Sequence, residues 1–367
     1  MKRAWHQPDY RFLGAVTLLL VFGIVVLSSA SSVTALQKFG DSYFFVKRQL
    51  LYGVLPGVIA FYLFAKIDYR MLKKLSFVIF VGMILLLCLV FVPGIGSSLS
   101  TAANSWIVIG NYSFQPSEFA KLGMIIFLSA YISQLGHKLT DMKEGFFITL
   151  GFGLMPIVLI MLQPDLGTMS ILFGVLFAML FFGEARFSHL SFLALTGVLA
   201  FLVMIWIAPY RVARFTTFLH PELDPLNQGY HINQAFLAIG SGGMFGLGLG
   251  HSRQKFAYLP EVHADSIYAV MAEELGFIVS MAFLMLLLYI AWRGLTIAKH
   301  APDGFGTLLV SGIVAWFLIQ SFLNIGAMIG LLPLTGVPLP FVSHGGTALM
   351  VALAAVGIVV NVSKQTT

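Results

Sequence analysis

Charge is what this chain lacks most. Only 10% of its 367 residues are Asp, Glu, Lys or Arg, where a water-soluble domain carries about 25%, so a soluble fold would have too little charge to cover its surface. Cysteine is nearly absent: Cys88 stands alone in an apolar run, which excludes a disulfide framework and a thiolate metal site. The nine histidines show no HExxH spacing, and the glycine-rich stretch 240–250 neither spells GxGxxG nor ends in Gly-Lys-Ser/Thr. Zinc-protease and nucleotide-loop chemistry therefore have no support. The net charge of +6 does not point to nucleic acid, because the 21 Lys and Arg residues are scattered among short loops and not gathered on one face.

What is present is apolar: 59% of the residues are hydrophobic, and they come in long runs. At about 20 residues per crossing, the runs predict ten spans, near 11–32, 46–65, 75–93, 117–135, 146–163, 167–183, 188–208, 266–292, 305–331 and 344–362. The first, with its apolar run from Phe12 to Leu27, has the look of a signal peptide but no convincing cleavage site, and reads as a retained helix. Lys2, Arg3, Arg11, Lys66, Arg70, Lys73, Lys74, Lys138, Lys143, Arg186, Arg293, Lys299 and Lys364 all fall on one side of that topology. The positive-inside rule makes that side, and both termini, cytoplasmic. The expected fold is an all-α polytopic membrane protein of about ten transmembrane helices in a single domain, 1–367. A large structured extracytoplasmic loop, 209–264, joins the seventh and eighth.

Two outer segments are too long and too patterned to be mere connections. In the larger one, Gly229 to Ile239 reads as a short helix, followed by glycines that allow tight turns or close backbone approach. Arg211 and Arg214 stand three apart, on one side of any helix there. Two guanidiniums suit a phosphate group, and they suit lipid headgroup anchoring equally. Lys255, Glu261, His263 and Asp265 gather at the entrance to the eighth span. Asp265 is either a carboxylate serving a water-filled cavity or the N-cap of the helix that follows. Glu273 and Glu274 lie two turns deeper, where Glu273 would reach a cavity or pair with a neighbouring helix. In the smaller segment Glu118 and Lys121, three apart, read as a functional pair or as a structural ion pair inside the bundle, and Asp165 reads as a helix cap.

Six runs then carry a resemblance in the expected order over most of the chain: QPSEFAK at 115–121, QPDLGT at 163–168, RVARFTTFLHPELDPLNQGYHINQAFLAIGSGG at 211–243, GLGLGHSRQKFAYLPEVHAD at 246–265, AEELG at 272–276 and GVPLPFVSHGG at 336–346. The chain resembles the SEDS family (shape, elongation, division and sporulation), with GLGLGHSRQK and YLPE slightly closer to its FtsW side than to RodA. The resemblance implies a bacterial inner-membrane glycosyltransferase that polymerises lipid II into glycan strands outside the cytoplasmic membrane. It makes Asp265 the essential aspartate, places Glu118 and Lys121 in a central cavity and Trp106 at its rim. The chain departs from the common family pattern at Ala264 and Ser266, where Thr and Phe flank the aspartate, at Ser105, commonly Arg, and at His344, commonly Tyr.

On that basis Asp265 is expected to act as general base, with Arg211, Arg214 and Lys255 on the substrate diphosphate and Glu261 and His263 among the substrate-binding residues. No protein metal site is expected; Mg²⁺ or Mn²⁺ would come with the pyrophosphate. The implied partners are lipid II, a class B penicillin-binding protein supplying transpeptidation, and other divisome or elongasome membrane proteins. Ser311, Gly312, Ala315, Gly326, Ala327 and Gly330 on the ninth span offer a docking face for the partner's helix, or pack only within the bundle. The competing readings are a lipid II flippase, with Glu118, Lys121 and Glu273 along a polar path, and a non-catalytic scaffold.

Overall fold

The computed structural model describes residues 7–97, 105–110, 112–207, 209–224, 228–256 and 258–366, and leaves the side chains of residues 109, 112, 209–211 and 228 undescribed. The apolar runs form helices because backbone polar groups in hydrocarbon must be satisfied within the segment. Helix α1 (Tyr10–Phe39) is capped by Asp9, which accepts from the Phe12 amide, and ends at Gly40 in the left-handed region. Helix α2 (Phe44–Gln49) widens into a π-helical turn, Leu50–Val54, just before Pro56 removes an N–H from the ladder, and continues as α3 (Leu55–Lys66).

Helices α4 (Arg70–Leu89), α5 (Pro116–Leu135), α6 (Phe147–Leu162), α7 (Leu166–Phe182) and α8 (Phe187–Ile207) follow, and after the long loop come α11 (Ile267–Lys299), α12 (Gly304–Met328) and α13 (Gly346–Ser363). Among the described residues nine helical segments are long and apolar enough to cross a membrane, and α7, with 17 residues, is a shorter apolar helix in the place of the sixth expected span. The chain is thus a multi-pass helical membrane protein, as its composition requires.

Helices α5, α12 and α13 form the interior, and α8 is the least buried of the long apolar helices among the described residues. Gly57 on α3 and Gly357 on α13 let these two helices touch: a Cβ on Gly357 would collide with the backbone of Phe61, and one on Gly57 with Leu353. The same geometry corrects the expected docking face on α12. Ser311, Gly312, Ala315, Gly326 and Ala327 are all buried, and a Cβ on Gly312 would meet Met179 of α7 and Ile125 of α5. The small residues are used up by packing inside the bundle.

One end of the bundle ties the ends of the described chain together. The Asp9 amide donates to Ser363 Oγ (3.1 Å), Arg293 pairs with Asp9 (2.7 Å), and Arg70 and the Tyr69 hydroxyl both donate to Asp303 (2.9 and 2.7 Å). The opposite end carries the two patterned segments. In the smaller, β1 (Gly96–Ser97), β2 (Trp106–Ile109) and β3 (Tyr112–Phe114) form an antiparallel sheet in that order, with Ser97 opposite Trp106 and Ile107 opposite Phe114. No strand was expected there. Its signal is nonetheless local: β-branched and aromatic residues flanking Gly110-Asn111, a two-residue hairpin signature.

The larger segment contains α9 (Pro209–Leu219) and α10 (Gln228–Ser241), the latter matching the short helix expected at 229–239. It then interlocks with α11, which is not the continuous helix its hydropathy suggests. Gly276 has φ 75° and breaks it. Across the break, Leu247 and Gly248 donate to the Glu273 and Glu274 carbonyls (3.0 and 2.9 Å), and Phe277 and Ile278 donate to Gly243 and Met244 (2.9 and 3.2 Å). The loop backbone replaces the helical bonds that the break removes, which is how irregular backbone persists inside a membrane protein. Only glycine fits at Gly276 and Gly246, because both have positive φ and each would drive a Cβ into the other strand of this splice.

Candidate active site

The loop end of the bundle encloses a cavity of about 1020 Å³, at the upper end of the usual ligand-pocket range of about 300–1,000 Å³. The segment Glu261–Ser266 forms one wall and is pinned from three directions. Ser343 Oγ donates to the Ala264 carbonyl (2.5 Å), the His344 amide donates to the His263 carbonyl (2.8 Å), and Asn324 Nδ2 of α12 donates to the Asp265 carbonyl (2.8 Å). Gln49 of α2 holds the same turn from the far side, donating to the Ser343 carbonyl (3.2 Å) and accepting from the Gly345 amide (2.9 Å).

Asp265 lines the cavity from this wall. It does not cap the helix: Ser266 occupies the N-cap position of α11, without a side-chain cap bond. Burial, and next the negative charge of Glu261, push the Asp265 carboxyl up to about 7. A group that ionises near neutrality in a cavity is poised to take a proton. Three histidines surround it. His263 stacks on Phe45 of α2 (4.1 Å between ring centres), and burial holds its imidazole below the ordinary value. His231 of α10 and His344 are both pushed down to about 4, chiefly by burial.

The remaining residues expected at the site divide into those the fold brings here and those it does not. Trp106 of β2, Glu118 and Lys121 of α5, Arg214 of α9, and Glu261 and His263 all line the cavity. Lys121 bridges Glu118 and Gln320 (2.8 Å each) and lies over the Trp316 ring, so the pair is at once a buried ion pair and part of the cavity wall. Gln320 in turn accepts from Trp316 Nε1 (2.7 Å) and donates to the Pro338 carbonyl (2.8 Å). Asp165 lines the cavity too, but its oxygens are occupied in capping α7 through the Thr168 amide and hydroxyl (2.9 and 2.8 Å). The side chain of Arg211 lies outside the described residues; its backbone is in α9, one turn before Arg214.

Lys255 is corrected. It lies away from this cavity, 3% exposed, ion-paired to Glu274 (2.7 Å) and hydrogen-bonded to Ser29 of α1 (3.3 Å). A lysine carried this deep requires a counter-charge, and Glu274, turned toward the loop by the break in α11, provides it. Glu273 neither reaches the cavity nor pairs with another helix. Its carboxylate accepts from Ser252 Oγ (2.5 Å) and the Arg253 amide (2.9 Å), holding the loop onto the broken helix.

Sequence reasoning missed Arg48 and His231 as cavity residues, and marked His344 only as a departure from the family pattern. Arg48 had a signal, an ionisable side chain inside a predicted span. His231 had none, since nothing local says that α10 folds back beside Asp265. Several wall atoms are left for a ligand: Arg214 Nε, His263 Nδ1, Thr335 Oγ1 and His344 Nδ1 are buried without a hydrogen-bond partner among the described residues. Among the described residues no group of three or more His, Cys, Asp or Glu is placed to hold a metal ion.

A family model for the cell cycle proteins FtsW, RodA and SpoVE matches residues 10–367. This chain is a member of the FtsW/RodA/SpoVE family. Stage V sporulation protein E of Bacillus subtilis (strain 168) is 44% identical over 358 residues, covering 98% of this chain and 97% of that protein. A probable peptidoglycan glycosyltransferase FtsW of Geobacter sp. (strain M18) is 37% identical, covering 97% of each chain. Among solved structures, the rod shape determining protein RodA of Thermus thermophilus superposes with a TM-score of 0.73 at 26% identity, over 99% of this chain and 98% of that one. A structure described as the structural coordination of polymerization and crosslinking by a peptidoglycan synthase complex gives 0.81 at 26% identity, over 98% of both chains.

Proposed function

We propose that this FtsW/RodA/SpoVE protein is a peptidoglycan glycosyltransferase that polymerises lipid II into glycan strands, with Asp265 as its general base. The observation that carries the reading is Asp265 itself: a carboxyl shifted to about 7 on the wall of a cavity that also presents Arg214 and Arg48. In the reaction, an Asp265 oxygen takes the proton of the acceptor GlcNAc 4-hydroxyl as the hydroxyl oxygen attacks the MurNAc anomeric carbon. The bond from that carbon to the diphosphate breaks, and undecaprenyl pyrophosphate leaves with the electron pair. A single in-line displacement inverts the anomeric centre, and pyrophosphate needs no proton to depart, so the paired carboxylates of glycosidases have no counterpart here.

Arg214 and Arg48 are assigned to the developing negative charge on the diphosphate. Arg211, three residues before Arg214 on α9, belongs with them by register. A Mg²⁺ or Mn²⁺ ion would rest mainly on the diphosphate oxygens, since the cavity carboxylates are not gathered into a ligand set, and would supply charge neutralisation. Glu118 and Lys121 at the floor fix the cavity's shape through Gln320 and Trp316. The loop end is assigned to the extracytoplasmic side of the bacterial inner membrane and both termini to the cytoplasm, on the distribution of Lys and Arg. A class B penicillin-binding protein is the assigned partner, docking elsewhere than on the small residues of α12.

The flippase reading loses one of its three path residues, because Glu273 is engaged by the loop and is absent from the cavity wall. The deciding experiment is polymerisation of lipid II by purified protein in detergent, where no transport is measurable. The wild type is expected to extend glycan strands, and Asp265→Asn to lower the rate by about 10²–10⁴-fold, the range for loss of a general base. An Asp265→Asn protein within a few-fold of wild type overturns the assignment.

A further inference from the structure

Beside Asp265 stand two side chains that the reaction above does not use. Ser266 Oγ is 3.4 Å from Asp265 Oδ1, and His231 Nε2 is 2.6 Å from Ser266 Oγ. Ser266 is completely buried and its hydroxyl carries one hydrogen. If that hydrogen pointed at the imidazole, the lone pairs of Oγ would face the carboxylate oxygen. Given instead to Asp265, it leaves Oγ to accept, and His231 must then carry its own hydrogen on Nε2. In the second arrangement donors run from His231 through Ser266 to Asp265.

We propose that Ser266 and His231 are positioning residues for Asp265, a two-step donor chain that fixes one carboxylate oxygen so that the other is presented to the acceptor hydroxyl. Among the described residues this is the one side-chain hydrogen bond that the carboxylate receives. Glu261 and His263 share its loop, and Arg214 on α9 and Arg48 on α2 share its cavity; of these Glu261 acts on the carboxyl through its charge, and the backbone amides of Asp265 and Ser266 are its other hydrogen-bond donors. The Glu118–Lys121 pair on α5 is closed on itself and on Gln320, and His344, ahead of α13, is held by the loop backbone. Burial keeps the His231 imidazole down to about 4, so it stays neutral through the assay range and its single N–H is available throughout.

The inference rests on Asp265 being the base, and the test separates the two. Lipid II polymerisation by purified Ser266→Ala, His231→Phe, His231→Gln and Asp265→Asn proteins is followed from pH 5.5 to 8.5 at varied lipid II, with thermal unfolding in detergent as the control for folding. Ser266→Ala is expected to lose about tenfold in kcat, the low end for a lost hydrogen bond to a charged group because the contact is long, and His231→Phe somewhat less, with KM little changed in both. The acid limb of their profiles moves to higher pH, because the donor favours the ionised carboxylate. His231→Gln keeps an N–H donor and retains most of the rate and the original limb.

A Ser266→Ala protein with wild-type rate and an unmoved limb overturns the donor chain. Equal losses in His231→Phe and His231→Gln with unmoved limbs do the same, by reducing His231 to packing. If His231→Phe fails to fold, Ser266→Ala, which removes a single oxygen, decides the question. An active Asp265→Asn protein overturns the base and the chain together, whereas an inactive one with Ser266→Ala unaffected overturns the chain alone.

Discussion

Replacing Lys255 by Met separates a residue that holds the loop from one that holds substrate. Both Lys255 and Glu274 are 3% exposed at the side chain, and their contact is 2.7 Å. Once the lysine is gone, Glu274 keeps, among the described residues, the Ser29 hydroxyl (2.6 Å) and the Ser252 amide (3.3 Å) as donors. Removing one member of a buried pair costs about 3–5 kcal/mol, because the survivor's charge stays desolvated. Two remaining donors put this case near about 3 kcal/mol. Changing both residues, Lys255→Met with Glu274→Gln, removes the stranded charge and is expected to recover most of that loss, since an apolar or neutral replacement of a whole buried pair is often close to neutral.

The measurements are thermal or denaturant unfolding in detergent for the single and double variants, together with initial rates of glycan synthesis against lipid II concentration. The Lys255→Met protein should unfold earlier, and its folded fraction should keep the wild-type KM for lipid II, because Lys255 lies outside the cavity of Asp265. A Lys255→Met protein as stable as wild type with a tenfold higher KM would falsify the reasoning and return Lys255 to the diphosphate.

Three further outcomes follow from the same geometry. Polymerisation should rise with pH through about 7, because Asp265 must be ionised to accept a proton and its carboxyl is held up by burial and by Glu261; Glu261→Gln removes the second cause, so its pH–rate profile should shift to lower pH. Arg214→Lys keeps the charge and loses the planar donors, so lipid II dependence measured in the same assay should weaken, whereas mere headgroup anchoring predicts an unchanged KM. Gly312→Leu forces a side chain between Met179 and Ile125 and should cost about 1–3 kcal/mol of stability for an overpacked core. Unfolding measured on the isolated chain checks it, with no partner needed to reveal the defect.

The sequence alone determined the environment and the topology of this protein. Scarce charge and repeated apolar runs leave helices as the way to satisfy backbone groups in hydrocarbon, so about ten crossings and a long patterned loop before α11 were legible from hydropathy. The candidate aspartate was legible as well, because an ionisable residue at the mouth of a span is costly without a cavity or a partner. Residue type and position by themselves leave Asp265 between base and cap; its place in a run that resembles a family motif favours the base.

Tertiary structure decided the partners of each charge. Lys255 and Asp265 are ten residues apart and form one cluster in the sequence, yet Lys255 is buried against Glu274 of α11 and lies outside the cavity that Asp265 lines. The small residues of α12 carry no mark of which neighbour will fill their spaces, and Met179 and Ile125 of the same chain do so. His231 reaches Ser266 across 35 positions of sequence, a contact set by how α10 folds onto α11. Hydropathy is a property of local segments, whereas desolvation and pairing depend on which distant groups share a buried volume, and only the assembled bundle determines that.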